Sequence, residues 1–69
     1  AEVSWTQWRV HLALEQIPER EREVLALAYW SDLSQSEIAE TLGIPLGTVK
    51  TRTRSALQRL AEILEGELE

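Results

Sequence analysis

The 69-residue sequence has no cysteine, methionine or phenylalanine, and only three glycines, two prolines and one histidine. Without cysteine there is no disulfide framework and no thiolate metal site. One histidine and three scattered glycines leave too little for a metal cage or a phosphate loop, so no metal and no cofactor is expected. No apolar run approaches the roughly 20 residues a membrane-spanning helix needs, and no signal-peptide core is present. A cytoplasmic, non-catalytic module without a membrane partner is expected. Sustained period-2 alternation is also missing, which argues against strands. What remains, with 43% hydrophobic and 28% charged residues, reads as one small all-α domain over 1–69. A domain this size buries only about 60% of its unfolded surface and is marginally stable.

The net charge of −5 would ordinarily argue against a nucleic-acid partner. The average hides a strong asymmetry. Residues 45–60 carry Lys50, Arg52, Arg54 and Arg59 and no acid, whereas the rest of the chain carries three basic against twelve acidic residues. One basic segment sits on an acidic body.

Four helices are expected, over about 5–16, 18–30, 34–42 and 45–64. Ser4 with Gln7 forms a capping box before the first helix. Its apolar residues fall on two stripes. Val3, Val10, Leu14 and Ile17 form one, and Trp5, Trp8 and Leu12 form the other, nearly opposite. Trp5 and Trp8 admit two readings, deep packing or a partner surface. Pro18 suits the first position of the second helix, with Glu19, Glu21 and Glu23 favoured by the helix dipole. Val24, Leu25, Leu27 and Ala28 supply its core face. Ser34 with Glu37 is a second capping box, Ile38, Ala39 and Leu42 face inward, and Gly43 is expected as the left-handed residue that ends the third helix. The fourth helix begins at Pro45. Leu46, Val49, Thr53, Leu57, Leu60 and Leu64 share one stripe, with Ala56 at its edge. The acidic tail of Glu62, Glu65, Glu67 and Glu69 reads as a solvated, fraying helix end.

The third and fourth helices, joined by Leu42-Gly43-Ile44, have the order and spacing of a helix-turn-helix over 34–60. Ala39 is small where two helices cross. Gly43, four residues on, permits a sharp turn. Val49, six further, plugs the angle between the helices. The outward arc of the last helix carries Lys50, Thr51, Arg54 and Ser55. The major groove admits one helix and shows a distinct donor and acceptor pattern for each base pair. Arg54 can give bidentate bonds to a guanine edge, and Lys50 can do so as a point charge. Thr51 and Ser55 can bond a base or touch a thymine methyl. Each hydroxyl alone is more simply a solvated side chain, and it gains meaning from sharing an arc with Arg54. Backbone N–H groups at the starts of the third and fourth helices can hold phosphates.

The strings Ile17-Pro-Glu-Arg-Glu-Arg-Glu-Val-Leu-Ala-Leu, Asp32-Leu-Ser-Gln-Ser-Glu-Ile-Ala-Glu-Thr-Leu-Gly-Ile-Pro-Leu-Gly-Thr-Val-Lys-Thr-Arg and Ala56-Leu resemble region 4 of bacterial sigma factors, nearest the extracytoplasmic-function group. The resemblance spans about Leu12 to Leu64. It implies a four-helix domain with a C-terminal helix-turn-helix, winged-helix-like but without a wing, that reads the −35 promoter element in double-stranded DNA. It also implies docking on the flap of the RNA polymerase beta subunit and masking by an anti-sigma factor. By position, Lys50, Thr51, Arg54 and Ser55 take the family's base-reading places. Thr48 and Arg52 match places near the phosphates. Gln35, beside the capping Ser34, matches a place that meets the DNA backbone. Thr53 stands where an aliphatic residue is usual, which makes the core there slightly polar. Ser55 stands where arginine is usual, and Arg54 compensates where many members are uncharged. Region 2 has no room in 69 residues, which leaves an excised domain or a stand-alone region-4-like protein, and the start at Ala1 rather than Met makes the excised domain the expectation.

Three rival readings are weaker. The LuxR-type response-regulator output domain shares Arg-Glu-x-Glu-Val-Leu and Thr-Val-Lys but lacks the Pro45-Leu-Gly47 string. A pure interaction module, binding polymerase or an anti-sigma factor without DNA, would use the acidic body and the tryptophan stripe. For an enzyme the one candidate base is His11, and its nearest acid, Glu15, reads as an i,i+4 surface partner.

Overall fold

The computed structural model describes residues 4–68, with side chains through Gly66. It contains α1 (Trp5–Leu14), α2 (Glu19–Tyr29), α3 (Gln35–Leu42) and α4 (Leu46–Leu68). No strand occurs among the described residues. Val3 and Glu69, and the side chain of Glu67, lie outside the described part.

Both capping boxes form. The Ser4 hydroxyl accepts from the Gln7 N–H at 3.1 Å, and the Gln7 side chain accepts from the Ser4 N–H at 3.1 Å. At α3, Ser34 Oγ accepts from the Glu37 N–H at 3.2 Å, while Glu37 Oε1 accepts from the Ser34 N–H at 2.9 Å. Each box satisfies two donors that the helix start would otherwise leave open.

The prolines sit one place further out than expected. Pro18 has ψ 142°, outside helical space, and its carbonyl accepts from the Glu21 and Arg22 N–H groups at 3.0 Å. It is therefore the cap of α2, not its first helical residue. Pro45 behaves alike, accepting from Thr48 and Val49, and α4 starts at Leu46. The first helix ends at Leu14 rather than Gln16. Its exit tightens into bonds three residues apart, Gln16 N–H to the Ala13 carbonyl and Ile17 N–H to Leu14. The residue before a proline is disfavoured in the helical region, so Ile17-Pro18 stops propagation. At the other end of the chain, α4 runs four residues past Leu64.

Gly43 adopts φ 68°, ψ 36°, the left-handed conformation expected of it, and the Ile44 N–H closes back on the Ala39 carbonyl at 3.1 Å. A second left-handed residue is Asp32, φ 57°, in the turn between α2 and α3. Aspartate tolerates this conformation better than most residues, because its short polar side chain bonds locally.

Two adjoining clusters form the core. Leu14, Ile17, Leu25 and Ala56 are buried together, with Val10, Leu60 and Ile63 packed on them. Val24, Ile38 and Val49 are buried in the other, under Leu27, Ala28, Leu33, Ala39, Leu42 and Ile44. Val49 thus fills the helix-turn-helix angle, as its position predicts. The inward stripe of α4 is rotated from the expected one. Ala56 lies at its centre, fully buried, whereas Leu46 and Leu57 are 40% and 41% exposed. Thr53 resolves its own polarity, since its hydroxyl donates to the Val49 carbonyl at 2.7 Å. Among the described residues no buried side-chain polar atom lacks a partner.

Candidate nucleic-acid interface

The candidate site is the outer arc of α4. At 100° per residue, Lys50, Thr51, Arg54 and Ser55 centre about 180° from the stripe of Val49, Ala56, Leu60 and Ile63. The core therefore aims this arc at solvent. Lys50, Thr51 and Arg54 are exposed, while Ser55 is half-buried at the edge. Ser55 shares a shallow hollow with Gln58, Arg59 and Glu62. Thr48 and Arg52 are also half-buried and flank the arc on that same edge. Ser34 and Gln35 are exposed at the start of α3.

Hydrogen bonding narrows what several of these groups can do. The Thr51 hydroxyl donates to the Gly47 carbonyl at 3.0 Å. Its proton is committed, which leaves its methyl and oxygen lone pairs to meet a ligand. The Ser34 N–H is held by Glu37, and Ser34 Oγ already accepts from the Glu37 N–H. The Ser34 side chain also bonds the Glu37 carboxyl, so the side chain of Gln35 remains as the donor there. Two bonds from Ser34, to its backbone N–H first and its side chain second, hold the Glu37 carboxyl below its ordinary value of 4.5. An anion thus already occupies the start of α3, which makes that helix end a poorer phosphate seat than its sequence suggests.

The basic segment also divides. Arg59 Nε donates to both carboxylate oxygens of Glu21, at 3.0 and 3.2 Å, and ties α4 to α2. Lys50, Arg52 and Arg54 make no such pair in the described structure. Three of the four cations therefore remain available, grouped in one turn and a half. His11 approaches Glu15 at 3.8 Å, as an exposed i,i+4 pair, and stacks on Trp8 with ring centroids 6.4 Å apart.

A second surface feature was only half legible in the sequence. Trp5, Trp8, Tyr29, Trp30 and Leu57 are each 41–71% exposed. Trp8, Tyr29, Trp30 and Leu57, with Val10 and Leu60 beneath, line an open groove of about 720 Å³ between α1, α2 and the second half of α4. The tryptophan stripe of α1 is therefore surface. The sequence pattern places Tyr29 and Trp30 only at the end of the second helix, and Leu57 on the inward stripe of the fourth. Their signal was the size of the aromatic side chains beside a helix terminus, where a small core has no room for them.

Four helices, two clean caps and a cation-bearing arc opposite the core define a helix-turn-helix domain. Residues 13–62 match the family described as sigma-70, region 4. The chain belongs to that family, and is region 4 of the extracytoplasmic-function kind. It is 41% identical over 54 residues to the ECF RNA polymerase sigma factor RpoE of Cereibacter sphaeroides, covering 78% of this chain and 30% of that protein. It is 35% identical over 57 residues to the RNA polymerase sigma factor SigZ of Bacillus subtilis, covering 83% of this chain and 32% of that protein. With the ECF RNA polymerase sigma factor SigW of Bacillus subtilis it shares 43% over 49 residues, 71% of this chain and 26% of that one. The chain spans about a third or less of the curated relatives it matches. Among the described residues no helix is long and apolar enough to cross a membrane.

Proposed function

We propose that this domain recognises the −35 promoter element in transcription initiation, with α4 in the major groove and α3 crossing the backbone above it. The observation that carries the reading is the arc itself, where Lys50, Arg52 and Arg54 stand without acidic partners among the described residues, on an otherwise acidic molecule. Lys50, Thr51, Arg54 and Ser55 read base edges, Arg54 by bidentate bonds to a guanine. Thr51, with its proton held by Gly47, contacts a thymine methyl. Ser55, set at the edge, reaches the flank of the site. Ser34, Gln35, Thr48 and Arg52 meet the sugar-phosphate backbone and set the register.

The apolar groove supports a second part of the reading, docking to RNA polymerase through the flap of its beta subunit. An exposed aromatic groove of this kind suits an apolar helix or loop of a partner. It adjoins Leu57 and Leu60, in the second half of α4, and leaves the arc in the first half free for DNA at the same time. An anti-sigma factor that covered the groove would compete with polymerase.

The test is a pair of substitutions. Arg54→Ala is expected to weaken the preferred duplex by about 1–3 kcal/mol and to relax its specificity, whereas Arg52→Ala weakens all sequences alike. Equal losses on preferred and random duplex for Arg54→Ala would remove the base-reading role.

A further inference from the structure

Gly47 occupies the first turn of α4, where a glycine is the costlier choice, since glycine in a helix is disfavoured relative to alanine. Nothing among the described residues calls for it. Its φ is not left-handed, and, its chain neighbours and the local helix backbone aside, a methyl group built on it would meet no described atom within 4 Å. Gly43 differs, because its φ of +68° accounts for the glycine by itself.

The place of Gly47 on the helix supplies an external reason. At 100° per residue it lies within about 10° of the middle of the arc formed by Lys50, Thr51, Arg54 and Ser55. It is also at the leading end of that arc. The first backbone N–H in α4 to find an intrahelical acceptor is that of Thr48, so the Leu46 and Gly47 N–H groups precede the ladder. The Gly47 carbonyl already accepts the Thr51 hydroxyl. Bare backbone is thus presented at the centre of the cationic face, with side chains only around it.

We propose that Gly47 is a positioning residue for DNA: its missing side chain lets the backbone of the first turn of α4 abut the DNA surface, and so sets how deeply Lys50, Thr51 and Arg54 enter the groove. The proposal rests on the reading of α4 as the DNA-contacting helix. It makes the glycine a feature kept for binding at the expense of fold stability.

The experiment compares Gly47→Ala and Gly47→Leu with Gly66→Ala, a second helical glycine of α4 with open space around it. Thermal melting is read alongside affinity for a duplex that the native chain enriches from a randomised library. Both alanine variants are expected to melt at or above the native temperature. Gly47→Ala is expected to bind at least tenfold more weakly and Gly47→Leu more weakly still, while Gly66→Ala binds within twofold of native. Native-like affinity for Gly47→Leu, or a lowered melting temperature for Gly47→Ala, would overturn the proposal. Arg54→Ala keeps the two levels apart. If it weakens binding while the Gly47 variants do not, only the glycine's role fails. If neither weakens binding, the DNA-contacting role of α4 fails with it.

Discussion

At the scale of single residues, the start of α3 is fixed by one hydroxyl and one carboxylate. The depressed pKa of Glu37 means that its ionised form is favoured in the folded state. Its contribution is therefore fully present above the ordinary value of 4.5 and is lost as pH falls through the lower folded value. Glu37→Gln keeps an acceptor for the Ser34 N–H but does not titrate. The Ser34 amide proton is expected to shift with a midpoint below 4.5 in the native chain and to show no such step in Glu37→Gln. An identical acid transition in both would show that Glu37 is not the group responsible. Such caps are legible in sequence because they need only residues three apart. The left-handed Asp32 was not, because an aspartate in a loop is compatible with many conformations. Nor was the pairing of Arg59 with Glu21, whose partners are 38 residues apart and meet only once α2 and α4 are packed.

Helix α2 joins the two halves of the core at the scale of elements. Adjacent residues divide between them, Val24 to the helix-turn-helix cluster and Leu25 to the cluster under α1. Leu25→Ala is expected to cost about 2–5 kcal/mol in urea unfolding, and Leu57→Ala, at the groove, less than about 1 kcal/mol. Comparable losses at both would mean that Leu57 is part of the core after all. Arg59→Ala provides a sharper contrast. It removes a cation from the basic segment, yet it is expected to change DNA affinity less than twofold, because that cation is already neutralised by Glu21. Its effect should fall on stability instead, by about 1 kcal/mol, the upper end for a surface ion pair. A large loss of DNA affinity would place Arg59 on the DNA. The helices themselves were readable from caps and periodicity, and the helix-turn-helix from the Ala39, Gly43 and Val49 spacing. The rotation of α4 was not. Hydrophobicity puts the stripe of large leucines inward, but the small Ala56 is the α4 residue buried against Leu14, Ile17 and Leu25. Packing, not hydrophobicity alone, chooses which face turns inward.

The whole molecule is a flattened body of 36 × 28 × 15 Å. Its radius of gyration, 12.7 Å, exceeds the about 11 Å of a compact chain of this length, in keeping with its flattened form. The charge is correspondingly divided, with three open cations in the first half of α4 and Glu62 and Glu65 in the second. Under the proposed reading such a molecule meets DNA with one end, and the acids oppose other approaches. With three cations in play, the logarithm of the binding constant is expected to fall with the logarithm of salt at a slope of about −2 to −3. A slope near zero would favour a module that binds only proteins.

The most direct measurement is selection by the native chain from a randomised duplex library, first at low and then at moderate salt, repeated with Arg54→Ala. The account predicts one short enriched element that survives the moderate-salt pass and disappears or degenerates on losing Arg54. No enrichment by a chain whose circular dichroism shows its helices intact would contradict promoter reading by this arc.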